Sequence, residues 1–209
     1  MILTLGTAHV FEYKKTGKIV ANCHKIPGSE FERRRLSIDE ISEALNGILE
    51  LTHKLNPEIK VILTVSPVRH IRDGLIENQK SKATLLLAID GVQKANPESV
   101  FYFPAYEIVL DDLRDYRFFK EDLIHPNDTA IDYVWQYFER AFFSKKTIEI
   151  IRKVEKINRA AAHRPLNPSS KSHREFLKKQ LLNIEELKKE YPFLELRGER
   201  ENFESQIVE

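Results

Sequence analysis

The chain opens on an unbroken apolar run, Ile2-Leu3-Thr4-Leu5-Gly6, and two more follow, Lys60 to Ser66 (KVILTVS) and Ser99 to Ala105 (SVFYFPA). Apolar stretches without alternation are what a parallel sheet presents when both of its faces are covered. Residues 9 to 13 and 18 to 22 read as a hairpin closed by Lys14-Lys15-Thr16-Gly17. After a polar connector, Ser37-Ile38-Asp39-Glu40 has the form of a capping box and predicts a helix over 38–55, with Ile41, Leu45, Ile48, Leu49 and Leu55 as its stripe. Asn56-Pro57 ends it. A loop through Arg69-His70 and Asp73-Gly74 leads to a helix over 78–95 carrying Leu85, Leu86, Ile89 and Val92, and Asn96-Pro97 breaks the chain again. Asn127 is placed to cap a helix bearing Ile131, Val134, Trp135 and Phe138. Residues 145–191 predict two further helices divided by Arg164-Pro165-Leu166-Asn167-Pro168, with stripes Ile151, Val154, Ile157 and Leu177, Leu181, Ile184, Leu187. The stretch from Pro192 is charged and weakly patterned.

Strands alternating with helices of this length predict right-handed βαβ units and an open parallel sheet with helices on both faces. Residues 1–143 form this α/β domain in the prediction, and 144–209 a helical extension packed on it. Ligands of such sheets sit beyond the carboxyl ends of the strands. Gly6-Thr7, Ser66-Pro67, the segment after Ala105 and Asp122 to His125 all fall there.

Composition adds mainly exclusions. A formal net charge of +1 over 209 residues gives no global pull toward nucleic acid. Residues 145–179 hold eleven Lys or Arg against three Glu, but their apolar stripes assign that charge to the wet face of packed helices. One cysteine, Cys23, excludes an internal disulfide, and a buried structural role is expected for it. No run approaches the ~18 apolar residues of a membrane span. No leader precedes Ile2, so a cytoplasmic location is expected; the strand at the first residue is either the natural start or the sign of missing upstream sequence. His9, Cys23, His24 and His70 have no recognised metal-ligand spacing, and neither metal nor cofactor is expected.

The most informative chemistry is Asp122-Leu123-Ile124-His125. A carboxylate three residues before a histidine, in a turn that opens a helix, can hold Nδ1–H and leave Nε2 to take a proton from a hydroxyl. The alternative is an aspartate capping a turn beside a histidine. Asn22 is an oxyanion donor or a turn residue. Ser66 is a nucleophile or an ordinary strand stop, and no G-x-S-x-G elbow surrounds it. Arg69 and His70 are expected to grip a polar or anionic substrate group, and His24 and Ser66 are expected to contribute to substrate binding. Asp111, Asp112, Arg114, Asp115 and Arg117 are expected to form an ion-pair network around the turn that presents His125.

Several of these segments together resemble the GSCFA family, a branch of the SGNH hydrolases: Leu5-Gly6-Thr7-Ala8-His9, Asn22-Cys23-His24-Lys25-Ile26-Pro27, Val65-Ser66-Pro67-Val68-Arg69-His70, Tyr102-Phe103-Pro104-Ala105-Tyr106-Glu107, Asp115-Tyr116-Arg117-Phe118 and Asp122-Leu123-Ile124-His125-Pro126. The similarity runs in order from Ile2 to about Phe143. It implies a flavodoxin-like α/β/α sandwich, incomplete in this sequence, and serine-dependent hydrolysis or transfer of esters. Asp122 and His125 fall on the family's aspartate-x-x-histidine. Gly6-Thr7-Ala8 falls on glycine-x-asparagine, with Ala8 replacing the oxyanion-hole asparagine; Gly6 and Asn22 are then the expected oxyanion donors. The Gly-Ser-Cys-Phe-Ala block that holds the serine does not occur in these residues and is expected upstream of Met1.

Two functions follow as expectations. One is a serine esterase or acyltransferase acting on a small acyl ester or an acylated glycan or lipid, silent without its serine. The other is a degenerate, non-catalytic module that binds carbohydrate or protein.

Overall fold

A computed structural model describes residues 1–207, and the chain divides into two compact units, Met1–Phe138 and Glu139–Glu209. The first unit is α/β. Its central sheet has three parallel strands, β1 (Ile2–Leu5), β5 (Val61–Val65) and β6 (Val100–Phe103), in the order β1-β5-β6. Ile2 is paired with Ile62 and Leu5 with Val65; Val61 is paired with Val100 and Thr64 with Phe103.

Side chains alternate across this sheet, so each strand serves two layers. Val61, Leu63, Val65 and Val100 point into one core with Leu3 and Leu5. Two helices cover that face: α1 (Ile38–Leu55), through Ile41, Leu45 and Leu49, and α2 (Leu75–Ala95), through Leu85, Ala88, Ile89 and Val92. α1 starts at the predicted capping box, with Glu40 N–H donating to Ser37 Oγ and Ser37 N–H to the Glu40 carboxylate. The opposite face carries Phe103, which packs edge-on against Phe138 of α4 (Asp128–Phe142). Beside them Ile2, Thr4, Thr64, Pro126, Ile131 and Trp135 line an almost wholly apolar groove of about 310 Å³.

β1 departs from its expected burial. Among the described residues it is an edge strand, hydrogen-bonded only to β5, with Ile2 54% exposed. Leu3 and Leu5 face the helix-covered core, whereas Ile2 and Thr4 line the apolar groove on the other face.

The polar connector before Ser37 is also not what it was expected to be. It contains strand β4 (Phe31–Arg35), which pairs antiparallel with β2 (His9–Tyr13); β2 pairs in turn with β3 (Lys18–Val20). The β2–β3 turn closes as predicted, with Gly17 at φ 63° and its N–H on the Tyr13 carbonyl. β4 is charged because its arginines are paired: Arg33 with Asp73, and Arg34 with Glu12 and Glu40.

After β6 the chain makes a short helical turn, α3 (Ala105–Glu107), continues into a wider π-type turn over Ile108–Asp112, and reaches a single 3-10 turn at Tyr116–Phe118. The acidic and basic residues here form short local pairs, Arg114 with Asp111 at 3.8 Å and Arg117 with Asp115 at 3.9 Å, while Asp112 accepts from the Tyr133 and Tyr137 hydroxyls. The expected network is thus a set of separate exposed contacts.

The second unit is helical. α5 (Lys145–Ala162) and α6 (Lys171–Glu190) fall where the stripes placed them. The weakly patterned stretch after Pro192 forms another helix, α7 (Arg197–Ile207). Phe203 is fully buried with Ile157, Leu177, Ile184 and Leu187, and exposed pairs one helical turn apart, Arg197–Glu201 and Arg200–Glu204, support the rest of α7. No helix among the described residues is long and apolar enough to cross a membrane.

Candidate functional site

The turn carrying the aspartate and histidine is closed on itself. Lys120 N–H donates to the His125 carbonyl at 2.8 Å, and Phe119 bridges Pro126. Within it, Asp122 Oδ1 accepts the amides of Ile124 (2.9 Å) and His125 (3.0 Å), while Oδ2 lies 2.6 Å from His125 Nδ1. Those amides, the His125 amide foremost, and then the imidazole hold the Asp122 carboxyl down to about 2. An ionised carboxylate only accepts, so Nδ1 must be the protonated nitrogen and Nε2 carries the lone pair of the neutral ring. Among the described residues nothing hydrogen-bonds to Nε2, and the side chain is half exposed. Leu123 sits between them at φ 56°, a left-handed conformation that costs a leucine about 1 kcal/mol and is held by the surrounding bonds.

This turn is fixed to the carboxyl end of the sheet. Arg69, in the loop after β5, donates its amide to the Ile124 carbonyl and Nη1 to the Leu123 carbonyl at 3.0 Å. Its guanidinium lies 4.4 Å from the Phe119 ring centroid and 5.6 Å from that of Tyr116. Arg69 therefore braces the loop that presents His125. Next along the chain, Asn127 caps α4, with Oδ1 accepting the Ala130 amide and Nδ2 donating to the Arg117 carbonyl.

The ends of β1 and β5 are joined by a buried lysine. Lys82, 1% exposed, donates Nζ to the Gly6 carbonyl at 2.6 Å and to the Ser66 carbonyl at 2.7 Å. Burial pushes its ammonium down to about 8. One residue earlier, Ser81 Oγ accepts the Ala8 amide at 2.7 Å and bonds Thr7 Oγ1; one turn earlier, Asn78 Oδ1 accepts the His70 amide. Asn78, Ser81 and Lys82 occupy the same stripe of α2 as Leu85 and Ile89. The first turns of the helix thus anchor both strand ends with polar groups where later turns use aliphatic ones. Sequence reasoning missed this trio. The signal was available: stepping back from Leu85 by three, four and seven residues reaches polar side chains at core positions.

Of the other expected site residues, Gly6, Ser66 and His70 meet at the strand ends, whereas Asn22 and His24 make only a local contact with each other. A Cβ at Gly6 would stand 3.1 Å from His70 Nε2, so the glycine is what lets that ring close over the strand end. Burial, and then the charges of Lys82 and Arg33, lower the His70 pKa below the ordinary imidazole range. Ser66 Oγ accepts the Val68 amide and its carbonyl takes Lys82, which is the geometry of a strand stop. Asn22 Oδ1 accepts the His24 amide at 2.8 Å, leaving its amide nitrogen without a partner among the described residues; His24 and Lys25 follow at φ 45° and 65°. Cys23 is partly exposed, contrary to its expected burial. No three His, Cys, Asp or Glu side chains among the described residues gather to hold a metal ion.

Sequence comparison gives this geometry its context. No curated protein and no solved structure matches the chain. The family model described as "GSCFA domain protein, C-terminal domain" matches residues 154–209, within the helical unit. The model of the GSCFA family itself matches residues 1–138, the whole α/β unit with both strand ends and the Asp122–His125 turn, and the chain therefore belongs to the GSCFA family.

Proposed function

We propose that this α/β unit is the base-bearing part of a serine-dependent ester hydrolase or acyltransferase of the SGNH type. The observation that carries the reading is the Asp122–His125 pair: an ionised carboxylate on Nδ1, an unpartnered Nε2, and a turn anchored at the carboxyl end of a parallel sheet. In the proposed reaction Nε2 takes the proton of a serine Oγ as that oxygen attacks the acyl carbonyl, then gives it to the departing alkoxide. In the second half it takes a proton from water or an acceptor alcohol. Asp122 keeps the ring in the right tautomer and stabilises the imidazolium.

The serine is assigned to a Gly-Ser-Cys-Phe-Ala segment outside these 209 residues, because Ser66 Oγ is turned to its own backbone. The free edge of β1 and the apolar groove beside it offer such a segment a strand to pair with and a surface to cover. Developing oxyanion charge is assigned to Asn22 Nδ2 and the Gly6 region. Ala8 cannot serve by side chain, and its amide is already given to Ser81. The substrate class is a small acyl ester, free or on a glycan or lipid.

Fluorophosphonate labelling tests the assignment. The 209-residue chain should stay unlabelled, and a polypeptide that also carries the Gly-Ser-Cys-Phe-Ala segment should label on that serine. Labelling of Ser66 in the short chain would overturn it.

A further inference from the structure

A second concave surface lies between the rim of the parallel sheet and the antiparallel β2–β3–β4 sheet. It encloses about 640 Å³, and its floor combines an aromatic ring, aliphatic side chains and guanidinium groups. Phe11 of β2 has Arg33 Cζ 4.9 Å and Arg72 Cζ 5.2 Å from its centroid. Val20, paired with Phe11 across the β2–β3 ladder, shares its face and supplies apolar wall. His70 closes the end nearest Gly6.

The two arginines differ in how they are satisfied. Arg33 donates Nε and Nη2 to Asp73 at 2.7 and 2.5 Å, which uses its fork and neutralises its charge. Arg72 forms no salt bridge among the described residues. The residues lining the groove include no carboxylate; Asp73 beside it is held by Arg33, with His9 Nδ1 a further 3.8 Å neighbour and the Arg72 charge acting on it at longer range. Two guanidinium groups against one carboxylate leave an excess positive charge on an apolar, aromatic surface. A planar fork stacked on a ring is pre-organised for a bidentate oxyanion.

We infer that this groove binds an oxyanion, a carboxylate or a phosphate monoester, carried on an apolar body: Arg72 takes the charge, and the body lies on Phe11 and Val20. No assigned role uses these side chains. The inference stands apart from the hydrolase reading, because binding here needs neither a serine nor His125.

Calorimetric or NMR titration of the 209-residue protein with benzoate, phenyl phosphate and the neutral analogue benzyl alcohol decides it. Saturable binding of one or both anions, weakened by salt, is expected, with benzyl alcohol at least tenfold weaker; the tighter anion identifies the headgroup. Arg72→Met should cost about tenfold, ~1.4 kcal/mol. Val20→Glu, which sets a carboxylate opposite Phe11 on the same face, should abolish anion binding, while Arg114→Met should leave it unchanged. Equal affinity for benzyl alcohol, no binding of either anion, or binding that survives Arg72→Met would overturn the inference. His125→Ala should not alter these affinities, so a failed hydrolase assay and a failed titration are separate results.

Discussion

Asp122 Oδ2 lies 2.6 Å from Nδ1 of His125, and the same carboxylate's other oxygen accepts the amides of Ile124 and His125. One side chain thus shapes the turn and sets the tautomer of the ring it presents. In Asp122→Asn the amide nitrogen would face Nδ1 as a donor and force the proton to Nε2. We expect ¹⁵N spectra at alkaline pH to show an Nδ1–H ring in the native protein and an Nε2–H ring in the variant. An unchanged tautomer would show that Asp122 does not orient the base.

The depressed Asp122 carboxyl also predicts an acid limit. The native state binds fewer protons than the unfolded chain between the ordinary carboxylate value and about 2. The stability this group contributes is therefore complete above the unfolded value, near pH 4, and is lost as pH falls toward 2. Thermal melts from pH 5 to pH 2 should lose less stability in Asp122→Asn than in the native protein.

Lys82 gives a slope of the same sign from a different cause, a charged form that burial disfavours. Its folded value of about 8 lies below the ordinary 10.5, so between those limits the unfolded chain binds the proton that the native state has released. Stability then rises with pH from about 8 to 10.5, by up to ~3 kcal/mol. The neutral amine still has two N–H groups for the Gly6 and Ser66 carbonyls. Lys82→Met should remove this alkaline gain in denaturant titrations. At pH 7 it sets the loss of both bonds, about 1–3 kcal/mol, against relief of a buried charge. A variant that keeps the alkaline slope would assign it to another group.

Thr64 marks the less finished face of the sheet. Its Oγ1 is buried and has no hydrogen-bond partner among the described residues. Thr64→Val keeps the shape and removes the orphaned hydroxyl, so it should stabilise the unit by about 0.5–2 kcal/mol, read as a higher denaturant midpoint. Destabilisation would mean that the hydroxyl is satisfied in solution.

The sequence made some of this legible and hid the rest for physical reasons. α1 was readable to its limits because a capping box, a 3.6-residue stripe and Asn56-Pro57 agree. β4 was hidden because Arg33 and Arg34 satisfy their charge through ion pairs that no local pattern reveals. α7 rests on Phe203 and on charge pairs one turn apart, a weak hydrophobic signal. At the site, Asp122 and His125 were visible because their spacing is local. Lys82 reaches Gly6 across 76 positions, and only its place on the core stripe, three residues before Leu85, sets it apart in the sequence from the other lysines of the helix.

The account stands on His125 as the general base. The most direct test is turnover of an aryl acetate ester by a polypeptide carrying the Gly-Ser-Cys-Phe-Ala segment together with these residues, with and without His125→Ala. We expect turnover in the native form and a loss on the order of a million-fold in the variant, as for removal of a triad histidine. Turnover that survives His125→Ala would contradict the account.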